Sequence, residues 1–299
     1  MPLSVQVQCP AKVNLFLEVT GKRRDGYHLL ATLFAKVGVF DVLDVERTDA
    51  PGFTLDIVDE VGQGLSAGPD NLVLRAAEAF RKEFRLGYGA RITLTKRIPL
   101  GAGLGGGSSD AAGMLQALAR LHNLETDRAM MARVRRLAPA LGADVPFFMR
   151  REGLCDGRGV GDRLKPLLPP KHLPWMVLVY PGIPVPTAEV FKRLERPGRS
   201  VVLTSLSQLD RLKKRLTSGR PSAEWTALLF NRLEDAVLDY RPEVRQAKEI
   251  LAKAGLTGVL MSGSGASVFG FASSREEGER TLGRLKGYPW KVYLTCCLG

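Results

Sequence analysis

The chain contains one stretch with five glycines in seven positions, Pro99-Leu100-Gly101-Ala102-Gly103-Leu104-Gly105-Gly106-Gly107-Ser108-Ser109-Asp110. The residues before it, 92–98, alternate between apolar and polar side chains, which predicts a half-buried strand. The apolar residues after it recur every three or four positions, which predicts an amphipathic helix. A strand, a glycine loop and a helix start favour a phosphate site, because backbone N–H groups approach an anion closely there.

The glycine loop also fits a second interpretation, a tight turn that only permits close packing. It lacks the lysine that ends the Walker pattern, since Ser108 follows Gly107 directly. The dinucleotide fingerprint needs a parallel βαβ unit with an acidic residue downstream, and the match to it is incomplete. The loop alone therefore favours phosphate binding without identifying the ligand.

Length and composition predict a folded protein of two domains. The 299 residues are long for one core, and we place the boundary at 157/158, which gives domains over 1–157 and 158–299. The chain is 45% hydrophobic and 25% charged, and no apolar run is long enough for a membrane span. The first residues lack the basic and apolar regions of a signal peptide, so we expect a cytoplasmic protein.

The net charge of +12 favours anionic partners, which include nucleotides, phosphorylated metabolites and nucleic acid. Two basic runs, 22–24 and 211–215, are each more typical of a solvated face than of a binding site. The four cysteines form no Cys-x-x-Cys pair, which favours idle thiols over metal ligands. Charge alone does not choose among the possible anions.

Two polar residues near the N-terminus are candidates for a site. Lys12 and Asn14 share one face of a strand predicted to follow Pro10, while the apolar residues between and after them share the other face. Side chains on an open strand face can be solvated or can meet a ligand. Both interpretations stay open at this point.

Three further candidates lie beyond that strand. Tyr27 and His28 end a glycine-punctuated basic loop, where they either pack within a turn or stack on and hydrogen-bond to a planar ligand. Asp144 follows a helix predicted over 126–141, where the helix dipole disfavours a carboxylate. It is either a turn residue that accepts hydrogen bonds from nearby N–H groups or a catalytic group.

The remaining chain contains a second glycine-serine loop, 262–267, between two predicted apolar strands. Its shortness and apolar flanks exclude a flexible linker. A well-punctuated helix is predicted over 242–254, with a proline in its first turn and a glycine past its end. The segment 196–221 is polar, basic and least patterned, so we expect it at the surface.

Three of these segments together resemble the GHMP kinase superfamily. Its first motif matches residues 10–17, its Pro-x-Gly-x-Gly-Leu-Gly-Gly-Gly-Ser-Ser loop matches 99–109, and its late glycine-rich loop matches 261–267. The order and spacing fit across almost the whole chain. The resemblance implies an α+β fold of two domains, a ribosomal-S5-like ATP-binding domain over 1–157 and a substrate-side GHMP domain over 158–299.

The resemblance also implies an ATP-dependent kinase that uses Mg²⁺ and acts on the hydroxyl group of a small molecule. Residues 11–17, 20–28, 142–148 and 184–191 are similar to one branch of the superfamily. That branch phosphorylates the 2-hydroxyl of a methylerythritol linked to cytidine diphosphate, in non-mevalonate isoprenoid biosynthesis. The implied partner is this small molecule, without nucleic acid or membrane, and the protein is a monomer or a homodimer.

By motif position, the resemblance implies a role for each candidate residue. Asp144 would be the catalytic base and Lys12 its partner, and the loop from Pro99 to Ser109 would cradle ATP. Four residues would hold the cytidine-bearing substrate: Asn14, Tyr27, His28 and Phe191. No acidic residue matches a magnesium ligand, and the hydroxyl of Ser109 is the candidate for that role.

Two other functions stay open from the sequence. A related kinase for a mevalonate-type or homoserine substrate would share the glycine loop, but its aliphatic substrate offers no ring to stack on Tyr27, His28 or Phe191. A basic nucleic-acid-binding protein would explain the net charge, because a fold does not fix a function. Such a protein would show salt-dependent binding to RNA or DNA.

Overall fold

The computed structural model describes residues 3–168, 174–194 and 206–298. By contacts, the chain divides into two compact units that interleave in sequence. The first comprises Met1–Ala11, Val39–Pro99 and Gly105–Arg151, and the second comprises Lys12–Gly38, Leu100–Leu104 and Glu152–Gly299. The domain boundary at 157/158 stays a prediction.

Two long strands contribute residues to both units. They are β1 (Ser4–Lys22) and β2 (His28–Thr48). The sequence predicts a strand that follows Pro10, but β1 begins at Ser4 and runs through this proline without a break. A proline lacks only its own N–H, so it removes one possible hydrogen bond and need not end a strand.

The first unit contains β3 (Phe53–Asp59), α1 (Leu72–Phe84) and β4 (Gly89–Lys96), followed by α2 (Gly106–Leu121), α3 (Arg128–Leu141) and α4 (Val145–Phe148). The second half of β2 pairs antiparallel with β4, and β3 pairs parallel with β4. Helix α2 forms where its apolar periodicity predicts a helix, but it is buried on all sides over 109–115, whereas an amphipathic pattern predicts one buried face.

One contact in the first unit, between a glycine of α2 and a cysteine of β1, shows how closely this helix and strand pack. A Cβ atom on Gly113 of α2 would lie 2.3 Å from Sγ of Cys9 on β1. Glycine is therefore required for this contact. Burial raises the pKa of the Cys9 thiol well above its ordinary value, so the thiol stays protonated.

The second unit begins with the β-strand pair β5 (Leu154–Arg158) and β6 (Arg163–Pro166). It continues with β7 (Trp175–Tyr180), α5 (Thr187–Leu194), α6 (Leu206–Thr217), α7 (Ser222–Thr226), β8 (Phe230–Asn231) and α8 (Glu234–Val237). It ends with α9 (Pro242–Lys253), β9 (Thr257–Met261), β10 (Val268–Phe271), α10 (Arg275–Leu285) and β11 (Lys291–Cys296).

Strand pairing in the second unit forms two groups. Four strands make an antiparallel sheet in the order β11-β7-β10-β9. The first half of β2 pairs antiparallel with β5, and β8 pairs parallel with β1 through Phe16 and Leu17. The late glycine-serine loop connects β9 to β10, as the sequence predicts.

The sequence predicts an unpatterned surface segment over 196–221, and the described part of this segment differs from that prediction. Its residues 196–205 lie outside the described residues, but α6 forms a regular helix that buries Leu209, Leu212 and Leu216. Lys213 of the same helix donates hydrogen bonds to Asp156 of β5 at 2.7 Å, so part of the basic run is anchored. The three leucines lie three and four positions apart, which is the pattern of a helix with one buried face.

Candidate active site

The first glycine-rich loop has the backbone that its composition predicts. Gly101, Gly103 and Gly105 have φ angles of 60°, 73° and 70°, which favour residues without a Cβ atom. Gly105 is the N-cap of α2 and makes no side-chain cap hydrogen bond. Since the first N–H groups of a helix have no intrahelical partner, this helix start offers donors to an anion. We define 99–109 as the first loop.

Ser109 lies in the first turn of the helix that follows. Its Oγ atom is buried and has no hydrogen-bond partner within the described part of the chain. A buried hydroxyl without a partner is costly unless a ligand supplies one. The residue therefore fits a role in holding a phosphate group or a cation bound to it.

The second glycine-rich loop, 262–267, contacts the first one within the second unit. Ser262 Oγ donates to the carbonyl of Gly103 at 2.9 Å, and the N–H of Ser267 donates to the carbonyl of Ala102 at 3.1 Å. A Cβ atom on Gly103 would lie 2.1 Å from the carbonyl oxygen of Ser262, so only glycine fits there. We call 262–267 the late loop.

Asn231 holds the late loop in place. Its Nδ2 atom donates to the carbonyls of Met261 and Gly263 at 2.8 and 2.7 Å, while its Oδ1 atom accepts from the N–H of Leu233. The side chain is 2% exposed. Residue 231 is not among the predicted site residues, because its role depends on partners 30 and 32 positions away.

Next to it, Arg232 fixes the short strand β8. Its guanidinium group forms two hydrogen bonds with the carboxylate of Glu18 on β1, at 2.9 and 3.1 Å. Hydrogen bonding to Glu18 raises the pKa of Arg232, so the guanidinium group stays protonated. The ion pair explains why a strand of only two residues keeps its register beside β1.

Lys12 and Asn14 are buried, in contrast to the solvated alternative for an open strand face. The structure leaves them 4% and 1% exposed, and Nζ of Lys12 donates to Oδ1 of Asn14 at 2.8 Å. A Cβ atom on Gly263 would lie 3.1 Å from the same Nζ atom, so the late loop packs directly on the lysine. Two of the predicted site residues thus form one contact.

A second pair of predicted residues forms an aromatic stack. The rings of His28 and Phe191 lie 4.4 Å apart with an interplanar angle of 16°. Tyr27 is 63% exposed, and its backbone carbonyl accepts from the N–H of Arg23 at 2.7 Å. Stacked rings beside an exposed tyrosine provide flat apolar surfaces with a polar edge, which suit a planar heterocycle.

Asp144 belongs to the first unit, whereas Lys12 belongs to the second. The residues after Asp144 form α4, although the sequence predicts only a chain segment that leaves α3. Asp144 is half-buried and is the N-cap residue of α4, so it directly precedes a helix start as well as following a helix end, and its side chain makes no cap hydrogen bond. Its backbone carbonyl accepts from Phe147 at 3.1 Å.

Beneath the start of α2, a buried lysine joins two aspartates. Lys96 donates to Asp110 at 2.8 Å and to Asp41, which also accepts from the N–H of Ile98 at 2.8 Å. Burial raises the pKa of Asp110 to about 7. Burial lowers the pKa of Lys96, but the charges of Asp110 and Asp41 outweigh this and leave the pKa above its ordinary value.

Side chains for a dedicated metal site do not gather in the part of the chain that the structure describes. Across 3–168, 174–194 and 206–298, no three His, Cys, Asp or Glu side chains group closely enough to hold an ion.

Every described helix is shorter or more polar than a bilayer crossing requires.

Comparison with known proteins identifies the class. Family models described as the GHMP kinases N-terminal domain and the GHMP kinases C-terminal domain match residues 71–152 and 206–289. The chain is therefore a GHMP kinase, an ATP-dependent enzyme that phosphorylates a small molecule.

Several relatives are similar over nearly their whole length. A 4-diphosphocytidyl-2-C-methyl-D-erythritol kinase of Geobacter sp. strain M21 is 41% identical over 271 residues, which cover 89% of each chain. The enzyme of the same name from Thermus thermophilus is 39% identical, and the match covers 93% of this chain and 92% of that one. The chain belongs to the 4-diphosphocytidyl-2-C-methyl-D-erythritol kinase family.

Solved structures agree with this assignment. A crystal structure of a 4-(cytidine 5'-diphospho)-2C-methyl-D-erythritol kinase has a TM-score of 0.79 and 36% identity, and it covers 99% of this chain and 100% of that one. A homoserine kinase from Cytophaga hutchinsonii has a TM-score of 0.72 at 20% identity, with 99% and 96% covered. The second likeness concerns the fold alone.

Proposed function

We propose that this kinase transfers the γ-phosphoryl group of ATP to the 2-hydroxyl of 4-diphosphocytidyl-2-C-methyl-D-erythritol. The observation that carries the proposal is an identity of 41% to a relative of that name across 89% of both chains. Solved mevalonate kinases of the same fold are only 14–16% identical. An acceptor that contains a cytidine group is therefore favoured over an aliphatic one.

The stacked rings of His28 and Phe191 support this choice of acceptor. A cytosine ring can stack on an aromatic face, and the imidazole nitrogens can donate to and accept from its polar edge. Tyr27 adds a third ring whose large exposed area is available to a ligand. Asn14 is the fourth residue that we assign to the substrate, by its motif position, and its side chain also contacts Lys12.

In this proposal, Asp144 accepts the proton of the acceptor hydroxyl, and Lys12 is its cationic partner. An alcohol is a weak nucleophile, so a positioned carboxylate that takes its proton assists the attack on phosphorus. An ammonium group favours the ionised form of a carboxylate and stabilises charge on the transferring phosphoryl group. Both residues are assigned by their motif positions.

The first loop would hold the phosphates of ATP. Its left-handed glycines and the helix start at Gly106 present backbone donors, and Ser109 Oγ is a hard oxygen ligand that fits Mg²⁺ bound to those phosphates. When bound, Mg²⁺ neutralises phosphate charge during transfer. We place the enzyme in the cytoplasm, acting on free small molecules.

The test is an ADP-release assay with MgATP and three acceptors: the cytidine-linked methylerythritol, mevalonate and homoserine. The proposal predicts turnover of the first and negligible turnover of the others. Efficient turnover of mevalonate or homoserine without turnover of the cytidine compound would refute it. A titration with RNA and DNA at rising salt gives the remaining comparison, in which weak and strongly salt-sensitive binding is expected.

A further inference from the structure

A chain of three buried hydrogen bonds leads away from Lys12. Its Nζ atom donates to Oδ1 of Asn14 at 2.8 Å, and Nδ2 of Asn14 donates to Oγ1 of Thr32 at 2.8 Å. Oγ1 of Thr32 then donates to the carbonyl of Phe16 at 2.7 Å. Thr32 is 0% exposed, so no solvent competes for its hydroxyl.

The chemistry of these groups fixes the direction of the chain. The carbonyl of Phe16 can only accept, so the single proton of the Thr32 hydroxyl is committed to it. That hydroxyl can then only accept from Asn14, which must turn its NH₂ group toward Thr32 and its oxygen toward Lys12. A flipped amide would place NH₂ against an ammonium group and leave the hydroxyl facing an oxygen without a proton to share.

We propose that Thr32 is a positioning residue for phosphoryl transfer, which orients the Asn14 amide and through it the ammonium group of Lys12. This inference rests on the role proposed for Lys12. Thr32 lies on β2 and is separated from Asn14 by 18 positions, and no feature of its own sequence segment distinguishes it as functional. Its part in the site is visible only from the hydrogen bonds.

The space around Thr32 supports the same role. Thr32 pairs with Gly157 of β5, and a Cβ atom on Gly157 would lie 2.9 Å from Cγ2 of Thr32 and 2.8 Å from Cε2 of Phe34. The ring of Phe34 in turn lies 5.7 Å from Nζ of Lys12. Close packing of its methyl group over Gly157 restricts the rotamers of Thr32, and its two hydrogen bonds then fix the direction of the hydroxyl.

The test removes the Thr32 hydroxyl while keeping the shape of the side chain. In Thr32→Val, we expect kcat for the cytidine-linked acceptor to fall on the order of 10- to 100-fold, with the KM for ATP within twofold of the parent, because displacement of a catalytic group lowers the rate of transfer. The matched control is Thr281→Val. Thr281 is also buried and also donates to a backbone carbonyl, that of Glu277 at 2.9 Å in α10. It should lose a similar amount of thermal stability and retain kcat.

Two further variants separate positioning from a structural role. Thr32→Ser keeps the hydroxyl and should retain most of kcat. In an Asn14→Ala background, Thr32→Val should change kcat by less than twofold, because its effect passes through the amide that is already absent. The melting temperature of each variant shows whether it is folded.

Three results would overturn the inference. They are a folded Thr32→Val enzyme with the parent kcat, an equal loss in Thr32→Ser, and the same fold-loss with and without Asn14. The serine variant keeps the inference testable if the valine variant does not fold. Failure of the proposed function would look different, since the parent enzyme would not phosphorylate the cytidine compound or Lys12→Ala would remain active.

Discussion

In the first loop the chain turns through Gly101, Gly103 and Gly105 into a sixteen-residue helix, whereas the late loop returns it within six residues from β9 to β10. The first ends at a helix start without a side-chain cap. Asn231 donates to one carbonyl of the late loop and to the carbonyl of Met261 directly before it, and the late loop also bonds to the first loop. Glycine content alone therefore does not define a binding loop. The distinction depends on which backbone groups are already bonded.

The largest expected effect is on the proton transfer, which we assign to a residue outside both loops. Since we assign that step to Asp144, Asp144→Asn should lower kcat by about 10²- to 10⁴-fold while ATP binding changes little. Steady-state ADP release and calorimetric titration with a non-hydrolysable ATP analogue measure the two quantities. Asp127→Asn is the matched control, because Asp127 is an N-cap that asparagine can replace. Near-normal turnover of Asp144→Asn would remove this residue from the mechanism.

The next effect breaks the contact between the loops. Gly103→Ala adds a Cβ atom at 2.1 Å from the carbonyl oxygen of Ser262 and also strains a left-handed backbone. Gly219→Ala is the control, since its φ is 66° and its Cβ atom would meet nothing within 4 Å. We expect the control to lose about 1–2 kcal/mol of unfolding free energy in urea and the Gly103 variant to lose more, together with most of its activity. Equal losses would show that the steric contact is unimportant.

A smaller effect loosens the late loop while leaving the first loop intact. Asn231→Ala removes the donors to two carbonyls, which should cost about 1–3 kcal/mol of unfolding free energy and lower kcat moderately. Asn231→Asp keeps the shape but places a carboxylate against the same carbonyls, so it should be less stable than the alanine variant. Thermal unfolding of both variants measures this order. The reverse order would contradict the donor role of Asn231.

The two loops also differ in expected pH dependence, because α2 lies on a buried titratable cluster that includes Asp110 and Lys96, whereas a neutral amide holds the late loop. Burial raises the pKa of Asp110 to about 7, from 3.8 in the unfolded chain. The native state therefore binds the proton of Asp110 more tightly than the unfolded chain does. The contribution of this proton to the free energy of unfolding is complete below pH 3.8 and is lost as the pH rises through about 7. Asp110→Asn should flatten the dependence of unfolding free energy between pH 5 and 8, measured in urea. An unchanged slope would contradict the raised pKa.

The smallest effect on stability concerns a residue outside both loops. Because Tyr27 is largely exposed, Tyr27→Ala should leave the melting temperature unchanged and raise the KM for the cytidine-linked acceptor several-fold, at an unchanged KM for ATP. Tyr288→Ala removes a tyrosine from another stacked pair, with Trp290, and should affect neither KM. A selective loss of ATP affinity in Tyr27→Ala would refute the assignment of Tyr27 to the acceptor.

Features that depend on local sequence are predictable. The strand, glycine loop and helix of 92–121 are confirmed, because each is set by the spacing of apolar residues and by glycine backbone freedom. Two helix caps in the structure are equally local, since Asn71 and Ser274 accept from N–H groups two and three positions further along the chain. Family motifs extend this to the class of enzyme.

Features that depend on distant partners are not predictable in this way. The burial of Lys12 requires the packing of Gly263, and the role of Asn231 requires the carbonyls of Met261 and Gly263. The sequence predicts only a surface for the segment that contains α6, because charged residues conceal its three buried leucines. The individual roles of Asp144, Tyr27 and the other site residues stay predictions.

The pairing of β8 with β1 has a consequence for how the protein is made. Arg232 and Glu18 are 214 positions apart, and Ser262 lies 159 positions beyond its partner Gly103. At about 5–20 residues per second, translation delivers these partners many seconds after the N-terminal strand has left the ribosome. Lys12 is synthesised early, but the late loop that packs on its side chain is absent until the last fifth of the chain emerges. A nascent or truncated chain is therefore expected to lack kinase activity even when its nucleotide motif is complete.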